Sequence, residues 1–142
     1  MSLVPKRPVR ILLVEDSPGD VLLTREALSE STMASELFVV SDGVEAMAFL
    51  HAEHPRPDIV LLDLNLPRMN GHEVLDAIEN DPELRRIPVI MLTTSSAQGD
   101  ILQAYDQHVN SYIRKPVDLN SFLDVVHAIE QYWIGSVALP SS

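Results

Sequence analysis

Apolar residues come in two rhythms along this chain. Short, nearly unbroken runs alternate with longer stretches in which apolar positions recur every three or four residues. The runs are Val9 to Val14, interrupted only by Arg10, then Leu37 to Val40, Ile59 to Leu62 and Val89 to Leu92, with a shorter one at Tyr112-Ile113. Such runs suit parallel strands buried on both faces. Between them lie helical patterns. Ser17-Pro18-Gly19-Asp20 opens the first: Ser17 can cap, Pro18 suits the first helical position, and Asp20 sits where a capping box places its acid; this helix is expected to reach about Ser29. Asp42-Gly43-Val44-Glu45 opens a second helix by the same logic. A third follows the Leu66 to Gly71 loop and ends near Asp81-Pro82, with Val74, Leu75 and Ile78 on one face. A fourth covers about Gln98 to Gln107, and Asp118 caps a fifth that reaches about Trp133.

Five βα units in one chain predict an α/β fold: a doubly wound, five-stranded parallel sheet with helices on both faces. The 142 residues and 46% hydrophobic content fit one globular domain. The expected organisation is an N-terminal tail at 1–8, one domain at 9–133, and a C-terminal tail at 134–142. No apolar run is long enough to span a bilayer, and the N-terminus lacks the apolar stretch of a secretory signal, so a cytoplasmic location away from membranes is expected. A net charge of −11 disfavours nucleic acid as a partner. The absence of cysteine excludes disulfides, thiolate catalysis and cysteine-based zinc sites. Lys6, Arg7 and Arg10 read as a solvated basic arm. The five histidines (His51, His54, His72, His108, His127) show neither metal-ligand spacing nor a triad pattern, and read as structural or surface groups.

In doubly wound sheets ligands bind at the carboxyl ends of the strands. The polar residues that follow the apolar runs are Glu15-Asp16, Asp63, Thr93-Thr94 and Lys115-Pro116. Three carboxylates brought to one edge would repel one another, and a divalent cation removes that conflict. Oxygen ligands without Cys or His favour Mg2+, held by Glu15, Asp16 and Asp63, with the Asn65 backbone carbonyl as a further ligand. A carboxylate can attack phosphorus, and Asp63 ends the central strand, where it is rigidly placed for that role. Lys115 can set its ammonium against a phosphoryl oxygen, and Thr93 can donate its hydroxyl to another. Taken singly, each of these residues could be a cap, turn or surface group; four strand ends supplying the needed types in the needed order is what points to phosphoryl chemistry.

Four stretches carry a more specific likeness: Ile11 to Asp16, Asp58 to Gly71, Pro88 to Thr93, and Tyr112 to Pro116. Over about residues 9 to 133 the chain resembles a response-regulator receiver domain. The resemblance implies the flavodoxin-like strand order 2-1-3-4-5, phosphoryl transfer to Asp63 from a histidine kinase, and a switch in which Thr93 moves toward the phosphate and Tyr112 follows. The surface of the fourth helix, fifth strand and fifth helix would change as a result. It further implies that Asn65 and Ser95 tune the lifetime of the phosphate, and that the Lys115–Pro116 peptide bond is cis. Residue 94, often Ala or Gly in such domains, is Thr94 here. Glu15 to Asp20, Leu92 to Ser95, Asn110-Ser111-Tyr112 and Tyr132 to Gly135 together resemble the small receivers that partner bacterial phytochrome kinases. A single-domain regulator would pass its signal on through protein contacts or by handing the phosphate onward.

The fifth helix carries Leu119, Phe122, Leu123, Val126 and Ile129 as a core stripe. Val125, Tyr132 and Trp133 add apolar surface beyond it and are expected to form a homodimer patch. Competing functions fit less well. An aspartyl-phosphate phosphatase needs a second acid two residues after its nucleophile, where Asn65 stands. A flavin module needs a phosphate cradle after the first strand, where Glu15-Asp16 would repel the phosphate. A binding-only receiver would be expected to have lost part of the residue set.

Overall fold

The structure is a computed structural model that describes residues 7–52, 55–94, 98–107, 109–115 and 119–138, with the side chains of 119–121 and 132–138 not described. Five strands, β1 (Val9–Val14), β2 (Ser35–Val40), β3 (Ile59–Leu62), β4 (Val89–Thr93) and β5 (Ser111–Arg114), alternate with helices α1 (Pro18–Ser29), α2 (Gly43–His51), α3 (Gly71–Glu79), α4 (Gln98–Asp106) and α5 (Leu119–Ala138). A 3-10 turn at Leu84–Arg86 follows α3. The sheet is parallel throughout, in the order β2-β1-β3-β4-β5, as the sequence predicts.

The sheet separates two apolar layers, because successive residues of a strand point to opposite faces. Leu12, Val14, Val60, Leu62 and Met91 pack under α2, α3 and α4 with Leu50, Val74, Leu75 and Ile78. Ile11, Leu13, Ile59, Leu61, Ile90 and Leu92 pack under α1 and α5 with Leu28, Phe122, Val126 and Ile129. The interior strands are therefore apolar at nearly every position, Arg10 near the start of β1 and Thr93 at the end of β4 excepted, which explains their nearly unbroken runs. The edge strand β2 is only half-buried and starts two residues earlier than its apolar run, with Ser35 and Glu36 in register with Val9 and Arg10.

The helix starts follow the capping residues. Ser17 accepts from Asp20 N, Asp42 from Glu45 N at 2.8 Å, and Asn70 forms a full capping box with Glu73. Asp20 does not complete a box at α1, since its carboxylate is engaged elsewhere. Asp42 also binds Arg68, whose φ of 64° is the only left-handed non-glycine value among the described residues. α4 is thinly anchored: Ala104 is its buried residue, while Leu102 and Tyr105 are more than half exposed.

Three expectations change. α5 continues to Ala138 instead of ending near Trp133, so residues 134–138 are helix. Gly135 costs a helix only about 1 kcal/mol, and no proline intervenes before Pro140. Val125, expected to extend an outer dimer patch, is 1% exposed in the core beside α1, whereas Leu123, expected in the core stripe, is half-buried. The buried face runs through Phe122, Val125, Val126 and Ile129 because α5 packs against both the sheet and α1. Arg7 is not a free arm: its guanidinium grips both oxygens of Asp58 at 2.8 Å, while Arg10 N donates to the same carboxylate and Arg10 itself lies within β1. Lys6 and the 1–6 and 139–142 segments lie outside the described residues.

Candidate functional site: a lysine among four carboxylates

Backbone pairing continues one step past the strands and sets the site residues in place. Glu15 N donates to Val40 O, Asp63 N to Val14 O, and Lys115 N to Thr93 O, at 3.0, 3.1 and 2.7 Å. Glu15, Asp63 and Lys115 are thereby fixed by the sheet itself. Gly71 lets the β3–α3 loop close behind Asp63: a Cβ there would fall on the Asp63 carbonyl oxygen and 2.7 Å from Leu64 Cα.

Glu15, Asp63 and Thr93 are buried, and Asp16 is exposed. Carboxylate oxygens of Glu15, Asp16 and Asp63 lie within 4.8 Å of one another. Lys115 Nζ enters this group as a hydrogen-bond donor, 2.5 Å from Glu15 Oε1, 2.9 Å from Asp20 Oδ2 and 3.3 Å from Asp63 Oδ2. Burial pushes the Glu15 carboxyl above the ordinary carboxylate range, and the nearby Asp63 charge adds to this. The Lys115 bond and the Ser17 N–H at 3.1 Å oppose it. Burial would lower Lys115, but its carboxylate partners outweigh that and hold it firmly protonated.

One ammonium among four carboxylates leaves the site negative. Its donor set is oxygen only, and its spacing is close to the span of two ligands across a small hard cation, about 4–5 Å at the ligand distances of Mg2+ and Ca2+. A divalent cation fits this cluster. Among the described residues, no other group of three acidic or histidine side chains converges in this way.

Glu15, Asp16, Asp63 and Lys115 come together as expected. Thr93 ends β4, fully buried and in register with Arg114. Tyr112, half-buried, pairs with Met91 and packs on the α2–α3–α4 layer. Asn65 is exposed, and its N–H donates to Asp63 Oδ1 at 3.4 Å. A pocket of about 450 Å3 opens beside Asp16 and Asn65. Ser95, Pro116 with its peptide bond, and the side chains of Tyr132 and Trp133 lie outside the described residues.

Two residues have larger parts than their sequence positions suggest. Asp20 was legible as a cap residue, but its carboxylate turns inward to Lys115. His72, expected to be structural or surface, is buried and bridges two helices: Nδ1 is 2.9 Å from Gln107 Oε1 and Nε2 3.4 Å from Asp100 Oδ1, and Gln107 Nε2 donates back to His72 O. Its position just after Gly71 at the start of α3 gave no sign of a partner 35 residues on.

A doubly wound sheet with buried acids and a lysine at the carboxyl ends of its strands defines the class: the chain belongs to the response regulator receiver domain family, whose model matches residues 11–127. It has no described helix long and apolar enough to cross a membrane. Within that family it is similar to the response regulator Rcp1 of Synechocystis, 45% identical over 140 residues that cover 95% of each chain. The Mn2+-bound form of Rcp1 superposes with a TM-score of 0.81, covering 94% of this chain and 100% of that one. RcpA, a cyanobacterial phytochrome response regulator crystallised in its phosphorylated form, is 46% identical with a TM-score of 0.84, over 95% of this chain and 100% of its own. The bacteriophytochrome response regulator RtBRR is 37% identical with a TM-score of 0.74, over 96% of this chain and 81% of its own.

Proposed function

We propose that this receiver accepts a phosphoryl group on Asp63, with Mg2+ held by Glu15, Asp16, Asp63 and the Asn65 carbonyl, from a histidine kinase of the phytochrome type. The observation that carries the reading is the meeting of Glu15, Asp63 and Lys115 at the carboxyl ends of β1, β3 and β5, fixed by the continued sheet ladder.

The chemistry follows from those positions. A carboxylate oxygen of Asp63 attacks phosphorus as the P–N bond of the phosphohistidine breaks, and the imidazole leaves with that electron pair. Lys115 sets its ammonium against the phosphoryl oxygens, and the Thr93 hydroxyl donates to another. Bound Mg2+ supplies charge neutralisation on the transferring group. Movement of Thr93 toward the phosphate then opens space for Tyr112, shifting the α4–β5–α5 surface. Asn65 and Ser95 tune the lifetime of the acyl phosphate. The phytochrome partner is supported by the likeness to Rcp1, RcpA and RtBRR. Homodimerisation through the end of α5, around Tyr132 and Trp133, and a cytoplasmic location complete the reading; Val125 is not part of that surface.

The test is intact mass after incubation with Mg2+ and acetyl phosphate, beside Asp63→Asn. A phosphoryl adduct on the wild type, absent from the variant and dependent on Mg2+, is the expected result. An equal adduct on both would move the acceptor elsewhere. No adduct from either acetyl phosphate or a phosphorylated kinase would reduce the domain to a binding module.

A further inference from the structure

A lysine ammonium has three N–H donors, and Lys115 directs them at three carboxylates. Two of these, Glu15 and Asp63, belong with Asp16 to the cluster that fits a cation; the third, Asp20, stands outside it. Asp20 is also held independently of the cluster. Its backbone N–H donates to the Ser17 hydroxyl oxygen, and its carbonyl accepts from Thr24 Oγ1 at 2.8 Å, so the first turn of α1 fixes its position.

A cation entering among Glu15, Asp16 and Asp63 competes with the ammonium for the same oxygens, and like charge repels it. Asp20 is the one partner that remains to the lysine. We propose that Asp20 is a positioning residue that retains Lys115 at the rim of the site when a divalent cation takes Glu15 and Asp63, so that cation and lysine serve the phosphoryl group together. The proposal rests on the phosphoacceptor reading of Asp63 but is tested apart from it.

In Asp20→Asn the ammonium keeps as charged partners only the two carboxylates the cation needs, its third bond being weakened to a neutral amide oxygen, and displacing it becomes harder. Mn2+ binding to the unphosphorylated protein, followed by the EPR signal of free Mn2+, is expected to weaken about tenfold, the worth of one charge-assisted hydrogen bond. Loss of a nearby negative charge would weaken binding too, so the decisive comparison uses Lys115→Met. With no ammonium to retain, Asp20→Asn is expected to change Mn2+ affinity less than twofold. Unchanged affinity in the single variant overturns the proposal, and so does an equal loss in both backgrounds, which would make Asp20 a plain charge. Far-UV circular dichroism confirms that each variant is folded. Phosphorylation of the wild type is followed separately, so its failure would fall on the acceptor reading and leave the Mn2+ result standing.

Discussion

Arg68 closes on Asp42, its Nε and a terminal nitrogen 2.8 and 2.7 Å from Oδ2, while Oδ1 of the same carboxylate caps α2 through Glu45 N. One side chain thus ties the β3–α3 loop behind Asp63 to the start of a neighbouring helix. The Glu45 N–H and the Arg68 guanidinium hold the Asp42 carboxyl below its ordinary value. A carboxyl lowered in the fold contributes stability above its unfolded pKa, about 4, and loses it as pH falls through the folded value. Asp81, lowered by the Glu83 and Leu84 N–H groups, adds to the same acid-side loss. Urea midpoints of the wild type and Asp42→Asn should therefore differ at pH 6 and draw together as the pH falls below the unfolded value, about 4. A gap that does not narrow with falling pH would mean that the substitution acts through shape and not charge.

Removing Lys115 leaves Glu15 and Asp63 facing each other in a buried site. Lys115→Met should lose about 3 kcal/mol of unfolding free energy in the absence of metal, as for other broken buried ion pairs. Mg2+ should restore a larger share to the variant than it adds to the wild type, because no ammonium competes for its ligands. Chemical denaturation with and without Mg2+ reads both effects.

Gly71→Ala would force the loop carbon against the Asp63 backbone. Both stability and the rate of acetyl phosphate uptake should fall, with Mg2+ half-saturation raised because the acceptor carboxylate is displaced. A normal rate would show that the loop yields without moving Asp63.

Val125→Ala tests which face of α5 is inward. A valine 1% exposed should cost about 2 kcal/mol when truncated, measured by urea denaturation, with the solution mass unchanged. A change in mass at unchanged stability would return Val125 to a surface role.

The sheet was legible because burial on two faces leaves little choice of residue: Ile59 to Leu62 can be apolar throughout only in a central strand. The acids and the lysine were legible because sheet topology alone brings strand ends together. Asp20 was not, since capping already explained an acid at that position, and nothing along the chain marks a partner 95 residues away. The inward face of α5 was missed because apolar residues at 119, 122, 123, 125, 126 and 129 fit two overlapping stripes. Only the presence of α1 beside the sheet selects the one containing Val125. The end of α5 was missed because Gly135 marks a stop weakly.

Apart from the polar bridge from His72 to Asp100 and Gln107, α4 lends its layer one buried side chain, Ala104, with Leu102 and Tyr105 turned to solvent, while α3 contributes Val74, Leu75 and Ile78 to that same layer. Local opening free energy scales with the apolar contact that must be broken. Amide hydrogens along α4 should thus exchange well ahead of those in α3 and far ahead of the global unfolding limit. The fold keeps a low-cost excursion available in one helix while the other four stay bound to the cooperative core.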